Sequence, residues 1–227
     1  SSFEAWTKYY RQDENSPNAI VSYYTKGALV ALLLDLRLRA ESQGRCSLDD
    51  LMRMLWVRHG QSGCGVPEDG IFRLAAEIGG EGVGAWLKDL VEGTEELPLE
   101  AALRQAGVEL RWETAGSSPG IGVRTAPDGD VLKLANVFDG GSAQVAGLSA
   151  GDVLVALDGL KLTAANFEKL LARRLVGDVA EIHVFRRDEL MAFSVALQAP
   201  PADVAKLTAL DDIAPAIQTL RTGWLGA

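Results

Sequence analysis

An α+β chain is predicted, with an all-helical N-terminal half, a small antiparallel β domain and a helical tail. Three observations predict it. Apolar residues recur at helical spacing up to about position 97, the period falls to two beyond Gly107, and Pro200-Pro201 ends the alternation before a last apolar-periodic stretch. The expected boundaries are 1–106, 107–199 and 200–227.

The first long helix is expected from about Tyr24 to Ala40, carrying the apolar run of Gly27 to Leu34 and ending at the Gly44 break. Ser47, with Asp50 three residues on, is an N-cap for a second helix with Leu48, Leu51, Met52 and Leu55 on one face. A third helix follows the acidic Pro67-Glu68-Asp69 start and turns Ile71, Leu74, Ala75 and Ile78 inward. A fourth spans Val83 to Val91, and Pro98 opens a short fifth that stops at Gly107. Beyond it, "GVELRWE", "GIGVRTA", "DVLKLANV", "GDVLVALDG", "AEIHVFRRD" and "LMAFSVAL" alternate apolar and polar residues between Gly, Asp and Pro turns. One helix, Ala164 to Leu175, interrupts these strands. Two short helical pieces are expected in the tail, around Ala202 to Leu210 and Ile213 to Leu220.

Composition narrows the function. The 227 residues are 48% hydrophobic and 23% charged, enough to bury one or two ordinary cores. A net charge of -9 excludes the clustered cations that a nucleic-acid surface needs. The run Gly27 to Leu34 gives way at once to Asp35, Arg37 and Arg39, short of the roughly 20 apolar residues of a bilayer span, so no membrane segment is expected. "SSFEAWTKYYRQDENS" lacks the basic-then-apolar pattern of a signal peptide. Cys46 and Cys64 have no Cys-x-x-Cys spacing, and free thiols point to a reducing, cytoplasmic location.

The second half carries a specific pattern. Gly141 to Ala143, Ala146 to Leu148, Gly151-Asp152 and Asp158-Gly159 stand in the order found in PDZ domains of the bacterial, circularly permuted kind, which "VFDGGSAQVAGLSAGDVLVALDGLKL" strongly resembles. Gly147 and Gly151 suit turns that need positive φ, and Asp152 suits an acceptor of turn amides. Val153, Val155 and Leu157 suit one face of a buried strand. The resemblance implies capture of an extended peptide as an added strand, its end carboxylate held by backbone N–H groups. In "PGIGV" those amides belong to Gly120, Ile121 and Gly122, Val123 starts the receiving edge, and the helix from Ala164 forms the other wall.

"WTKYYRQDENSPNAIVSYYTKGALVALLLDLRLR", with "SLDDLMRML" and "GTEELPLEAALRQAGVEL" after it, resembles the end of the thermolysin-like catalytic domain of the M61 metallopeptidases, the glycyl aminopeptidase family. In that family a PDZ domain follows the catalytic domain, the order seen here. The Tyr-x-Lys-Gly arrangement also matches the related M1 aminopeptidases, and it implies that the Tyr24 hydroxyl stabilises the oxyanion formed when zinc-bound water attacks a peptide carbonyl. A single well-placed donor of that kind is worth about 3 kcal/mol. Gly27 would let the helix approach a neighbour closely; Lys26 could orient a carboxylate, but it is read here as a solvated cation at the helix start, and Tyr23 as a packed aromatic.

A zinc peptidase of this class needs His-Glu-x-x-His, and the chain has two histidines, His59 and His183, far apart in sequence. The expectation is therefore a C-terminal fragment of a zinc-dependent aminopeptidase with no metal site of its own, inactive alone. Zinc, the peptide substrate and the upstream part of the catalytic domain belong to the longer protein. A noncatalytic PDZ adaptor that binds peptide C-termini stays open as the alternative. A serine protease is disfavoured, since no nucleophile loop or partner histidine is present.

Overall fold

A computed structural model describes residues 2–20, 22–129 and 131–226. It divides into two compact units that interleave in sequence, residues 1–22 with 113–204 and residues 23–112 with 205–227.

The second of these is the helical one. Its principal element, α3 (Tyr23–Glu41), follows two short N-terminal helices, α1 (Ser2–Tyr9) and α2 (Ser16–Ala19), that belong to the other unit. Leu34, Leu38, Leu51, Leu74, Val83 and Leu87 form one core with α4 (Leu48–Leu55), α5 (Gly70–Gly79) and α6 (Glu81–Glu92). Leu36 joins a smaller one with Leu103 and Ala106 around α7 (Leu99–Gln105) and the strand β1 (Val108–Glu113). Those two registers on α3 explain its near-continuous apolarity: it buries two faces against different neighbours. By length and composition alone, the stretch Ser16–Glu41 would also cross a membrane, although Leu33, Leu34, Leu36 and Leu38 within it are buried as core. Ser47 caps α4 as expected, its own N–H donating to the Asp50 carboxylate at 2.8 Å. The buried Asp35 carboxylate of α3 also accepts from the Leu48 N–H at 2.8 Å and from Arg39 Nε at 2.9 Å, which ties α3 to the start of α4. A π-helical turn, Trp56–Gly60, extends α4.

In the other unit, β2 (Val123–Asp128), β3 (Val131–Val137), β4 (Val153–Leu157), β6 (Val179–Arg186) and β7 (Glu189–Ala196) lie in that order as antiparallel neighbours. The short β5 (Leu160–Lys161) also pairs with β4. Leu132, Leu134, Leu154, Leu157, Ile182, Val184 and Val195 fill one core with Phe167 and Leu171 of the helix α9 (Phe167–Leu171) and Ala143 of α8 (Ser142–Ala146). Gly147 and Gly151 have φ of +95° and +91°, and the Ser149 N–H donates to Asp152 at 2.9 Å, as their types require. Asp158 and Gly159, both at positive φ, make the tight two-residue turn between β4 and β5.

Several expectations are corrected. Leu154 and Leu157, not Val153 and Val155, are the buried residues of β4, because a bulge between Leu154 and Ala156 shifts the alternation. The interrupting helix occupies Phe167–Leu171 alone. "GVELRWE" does not join the small sheet: as β1 it pairs with β8 (Val204–Ala209), which replaces the expected helix around Ala202 to Leu210. The alternation in "DVAKLTAL" is that of a strand once a partner strand satisfies its backbone. The last helix, α10 (Pro215–Leu225), packs back on the helical unit through Leu220 and Trp224.

Candidate functional site

Tyr23 and Tyr24 open the first turn of α3, their ring centroids 4.4 Å apart. Tyr23 is half-buried while Tyr24 is 59% exposed, so the second tyrosine presents its ring away from the core. A phenol carries its proton at neutral pH and can donate to an oxygen on which charge develops. Lys26 lies two residues on, with Nζ 3.5 Å from the Gly93 carbonyl, so it reaches a backbone oxygen and not a carboxylate. No neighbour approaches Gly27: a methyl built there meets nothing within 4 Å, and the expected close helix contact is absent among the described residues.

The Gly120–Val123 loop lies in the other unit. Gly120 and Gln198 exchange N–H···O bonds of 2.9 Å in both directions, so the Gly120 amide is committed within the fold. The Ile121 side chain, 1% exposed, anchors the loop in the core, and its carbonyl accepts from the Ala143 N–H at 2.8 Å. Gly122 sits at φ +74° with its carbonyl accepting from the Phe138 N–H at 2.9 Å. A side chain there would strike Gly141 Cα at 2.9 Å, so both sterics and conformation require glycine. Val123 begins β2, which pairs on one side with β3 and ends the order of strands.

No group of three or more His, Cys, Asp or Glu side chains able to hold a metal occurs among the described residues. His59 stands in the π-helical turn of one unit and His183 on β6 of the other. Each keeps a buried Nδ1 without a hydrogen-bond partner, and His183 Nε2 lies 3.6 Å from Glu181. Both cysteines are free thiols. Among the described residues, these side chains do not form a cluster that fits a zinc ion.

Two features had no sequence signal because their partners lie more than a hundred positions away. Asn18 donates from Nδ2 to the Val137 carbonyl at 2.9 Å and accepts at Oδ1 from the Asp139 N–H at 3.1 Å. Asn136 Nδ2 donates to the Glu14 carbonyl at 2.9 Å. These bonds hold residues 14–18 on the end of β3, which is why the N-terminal segment groups with the sheet.

A helical unit and an antiparallel sheet unit define a two-unit α+β protein. The comparisons make the class specific. A family model described as M61 glycyl aminopeptidase matches residues 1–30, which include the tyrosine pair. An aminopeptidase N family protein from Idiomarina loihiensis is 35% identical, with a TM-score of 0.86 over 98% of this chain and 39% of its own. The chain belongs to the M61 peptidase family and spans about two-fifths of that relative. An HtrA-type protease solved with a decapeptide and the serine endoprotease from Yersinia pestis each match 37% of this chain and 30% of their own. Their identities are 19% and 16% and their TM-scores 0.36 and 0.34. No curated protein matches.

Proposed function

We propose that this chain is the C-terminal part of a zinc-dependent aminopeptidase of the glycyl aminopeptidase type, and that Tyr24 is its contribution to the chemistry. The observation that carries the reading is the joint match: the family model falls on the tyrosine segment, and the aminopeptidase N family relative follows the chain over nearly its whole length. Zinc belongs to ligands outside these 227 residues. What this chain supplies is a phenol donor on the first turn of a helix whose remaining length is fixed by two apolar cores. The rigid helix holds the hydroxyl, so little reorganisation is needed when a substrate carbonyl oxygen gains charge.

Tyr24→Phe in the longer chain tests this. The expected result is a fall in kcat of at least tenfold, about 1.4 kcal/mol or more, with the fold intact by circular dichroism. An unchanged kcat removes the role.

The sheet unit is a PDZ module in the same reading, supported by its glycine turns, the buried Asp152 and the Gly120–Val123 loop. A second reading, a PDZ adaptor for peptide C-termini, is favoured by one observation: β2 has no strand on its outer side among the described residues. Free backbone groups on such an edge are what an added peptide strand would pair with.

A further inference from the structure

We infer that Gln198 is a positioning residue for the Gly120–Val123 loop, holding the Ile121 and Gly122 amides in place for a peptide's terminal carboxylate; the inference rests on the reading of the sheet unit as a peptide receptor. A Gly-Ile-Gly loop is conformationally permissive, and each glycine left unheld adds freedom that binding must remove. Gln198 brackets this loop. Its backbone exchanges two N–H···O bonds with Gly120, each 2.9 Å, on one side of Ile121. On the other side its carboxamide lies against Gly122: a methyl built on Gly122 would stand 3.4 Å from Gln198 Nε2 and 2.9 Å from Gly141 Cα. Between the two glycines the Ile121 side chain is buried and its carbonyl accepts from the Ala143 N–H. The N–H groups of Ile121 and Gly122 are left with no acceptor among the described residues.

The Gln198 carboxamide is itself fixed by a need of the adjoining helix. Gly141 takes the N-cap position of α8, where a side-chain oxygen ordinarily receives a first-turn N–H. It has no such oxygen, and space allows none: a methyl there would come within 2.9 Å of the Phe138 carbonyl oxygen and 3.2 Å of Gly122 Cα. The acceptor arrives from 56 positions away, as Gln198 Oε1 takes the Ser142 N–H at 2.6 Å. That bond fixes the orientation of the amide, since only its oxygen accepts. One side chain thus completes the first turn of α8 and packs on Gly122. A shorter one at position 198 would leave the Ser142 N–H without this acceptor and open space beside Gly122, while the backbone bonds to Gly120 could stay as they are.

Two arms test it in this chain. In the first, Gln198→Ala is expected to speed native-state amide exchange about tenfold at Ser142, which loses its acceptor, and at Ala143, which donates to the Ile121 carbonyl. Leu134 and Ile182 serve as unmoved references. In the second, decapeptides ending in valine, leucine or phenylalanine are titrated calorimetrically, each as the free acid and as the C-terminal amide. On Gln198→Ala the acids are expected to lose about tenfold in affinity and the amides to change less than about twofold, whereas a merely weakened fold would lower both alike. Gln198→Met, which keeps bulk beside Gly122 but not the acceptor, takes the place of the alanine variant if that one fails to fold, with the same expectation. Unchanged exchange at Ser142 and Ala143, or a preference for the acids kept in full, overturns the inference. No binding by the wild-type chain, or equal binding of acids and amides, instead removes the carboxylate reading and the positioning role with it, while the exchange arm still reports whether Gln198 holds the loop.

Discussion

Asp152 is the buried charge on which the sheet unit's stability most depends, and its pairing with Arg186 gives an asymmetric prediction. The carboxylate, 1% exposed, accepts from the Ser149 N–H at 2.9 Å and from Arg186 Nε and Nη2, each at 2.8 Å. Arg186 is 33% exposed by side chain, also donates to the Gly147 carbonyl at 2.7 Å and lies over the Phe193 ring. Its guanidinium is correspondingly held above the ordinary arginine range by the hydrogen bonds to Asp152. Asp152→Asn keeps the shape and an acceptor for Ser149, and it leaves an arginine that can turn toward water. The expected cost is about 2 kcal/mol, one charge-assisted interaction. Arg186→Leu strands a carboxylate in the core with one backbone partner, and the expected cost is larger, about 3 to 4 kcal/mol. The double variant should cost less than the sum by about 1 to 2 kcal/mol. Because the chain has two compact units, the assay is native-state amide exchange at sheet-core residues such as Leu134, Ile182 and Val184, not one global melt. If Arg186→Leu proves no more costly than Asp152→Asn, the argument from burial fails.

Two further outcomes are expected. Peptides with free C-termini should bind this chain more tightly than their C-terminal amides, by at least tenfold in a calorimetric titration, since the loop amides of Ile121 and Gly122 would face a carboxylate; equal affinities would remove Gly120–Val123 as a carboxylate site. The Ser47 N–H, donating to Asp50, holds that carboxyl below its ordinary value, so its contribution to α4 is present above the unfolded value near 4 and is lost as pH falls through the folded one. Asp50 is 39% exposed by side chain, so solvent screening limits the effect to about a few tenths of a kcal/mol, and Asp50→Asn should flatten the acid limb of helix stability by that amount in a pH-series denaturation.

What was legible in the sequence was local. The Ser47 cap, the positive φ at Gly147 and Gly151, the Asp158-Gly159 turn and the extent of α3 follow from spacing and residue type within a few positions, and each stands as read. What was not legible depends on remote partners. Val204 to Ala209 becomes a strand because β1 lies beside it, nearly a hundred residues earlier. The register of β4 changes at a bulge that only pairing with β6 reveals. For the candidate site the same division holds: the sequence marks Tyr24 and Gly120 to Val123, while the commitment of the Gly120 amide to Gln198 and the grip of Asn18 on β3 need the fold.

The interleaving of the two units bears on how the chain works. A cut at 106/107 separates Asn18 from Val137 and Asp139, and a cut at 199/200 separates β8 and α10 from the helices they cover. The C-terminal segment covers backbone and apolar groups of its unit: Arg221 of α10 donates to the carbonyls of Gly107 and Leu210, and Arg39 of α3 donates to the Gly223 carbonyl. Removing either segment would leave hydrogen-bonding groups unpaired within the unit to which it belongs. Each compact unit is assembled from two separate stretches of the chain, so a cut at either expected boundary parts groups that belong to one unit.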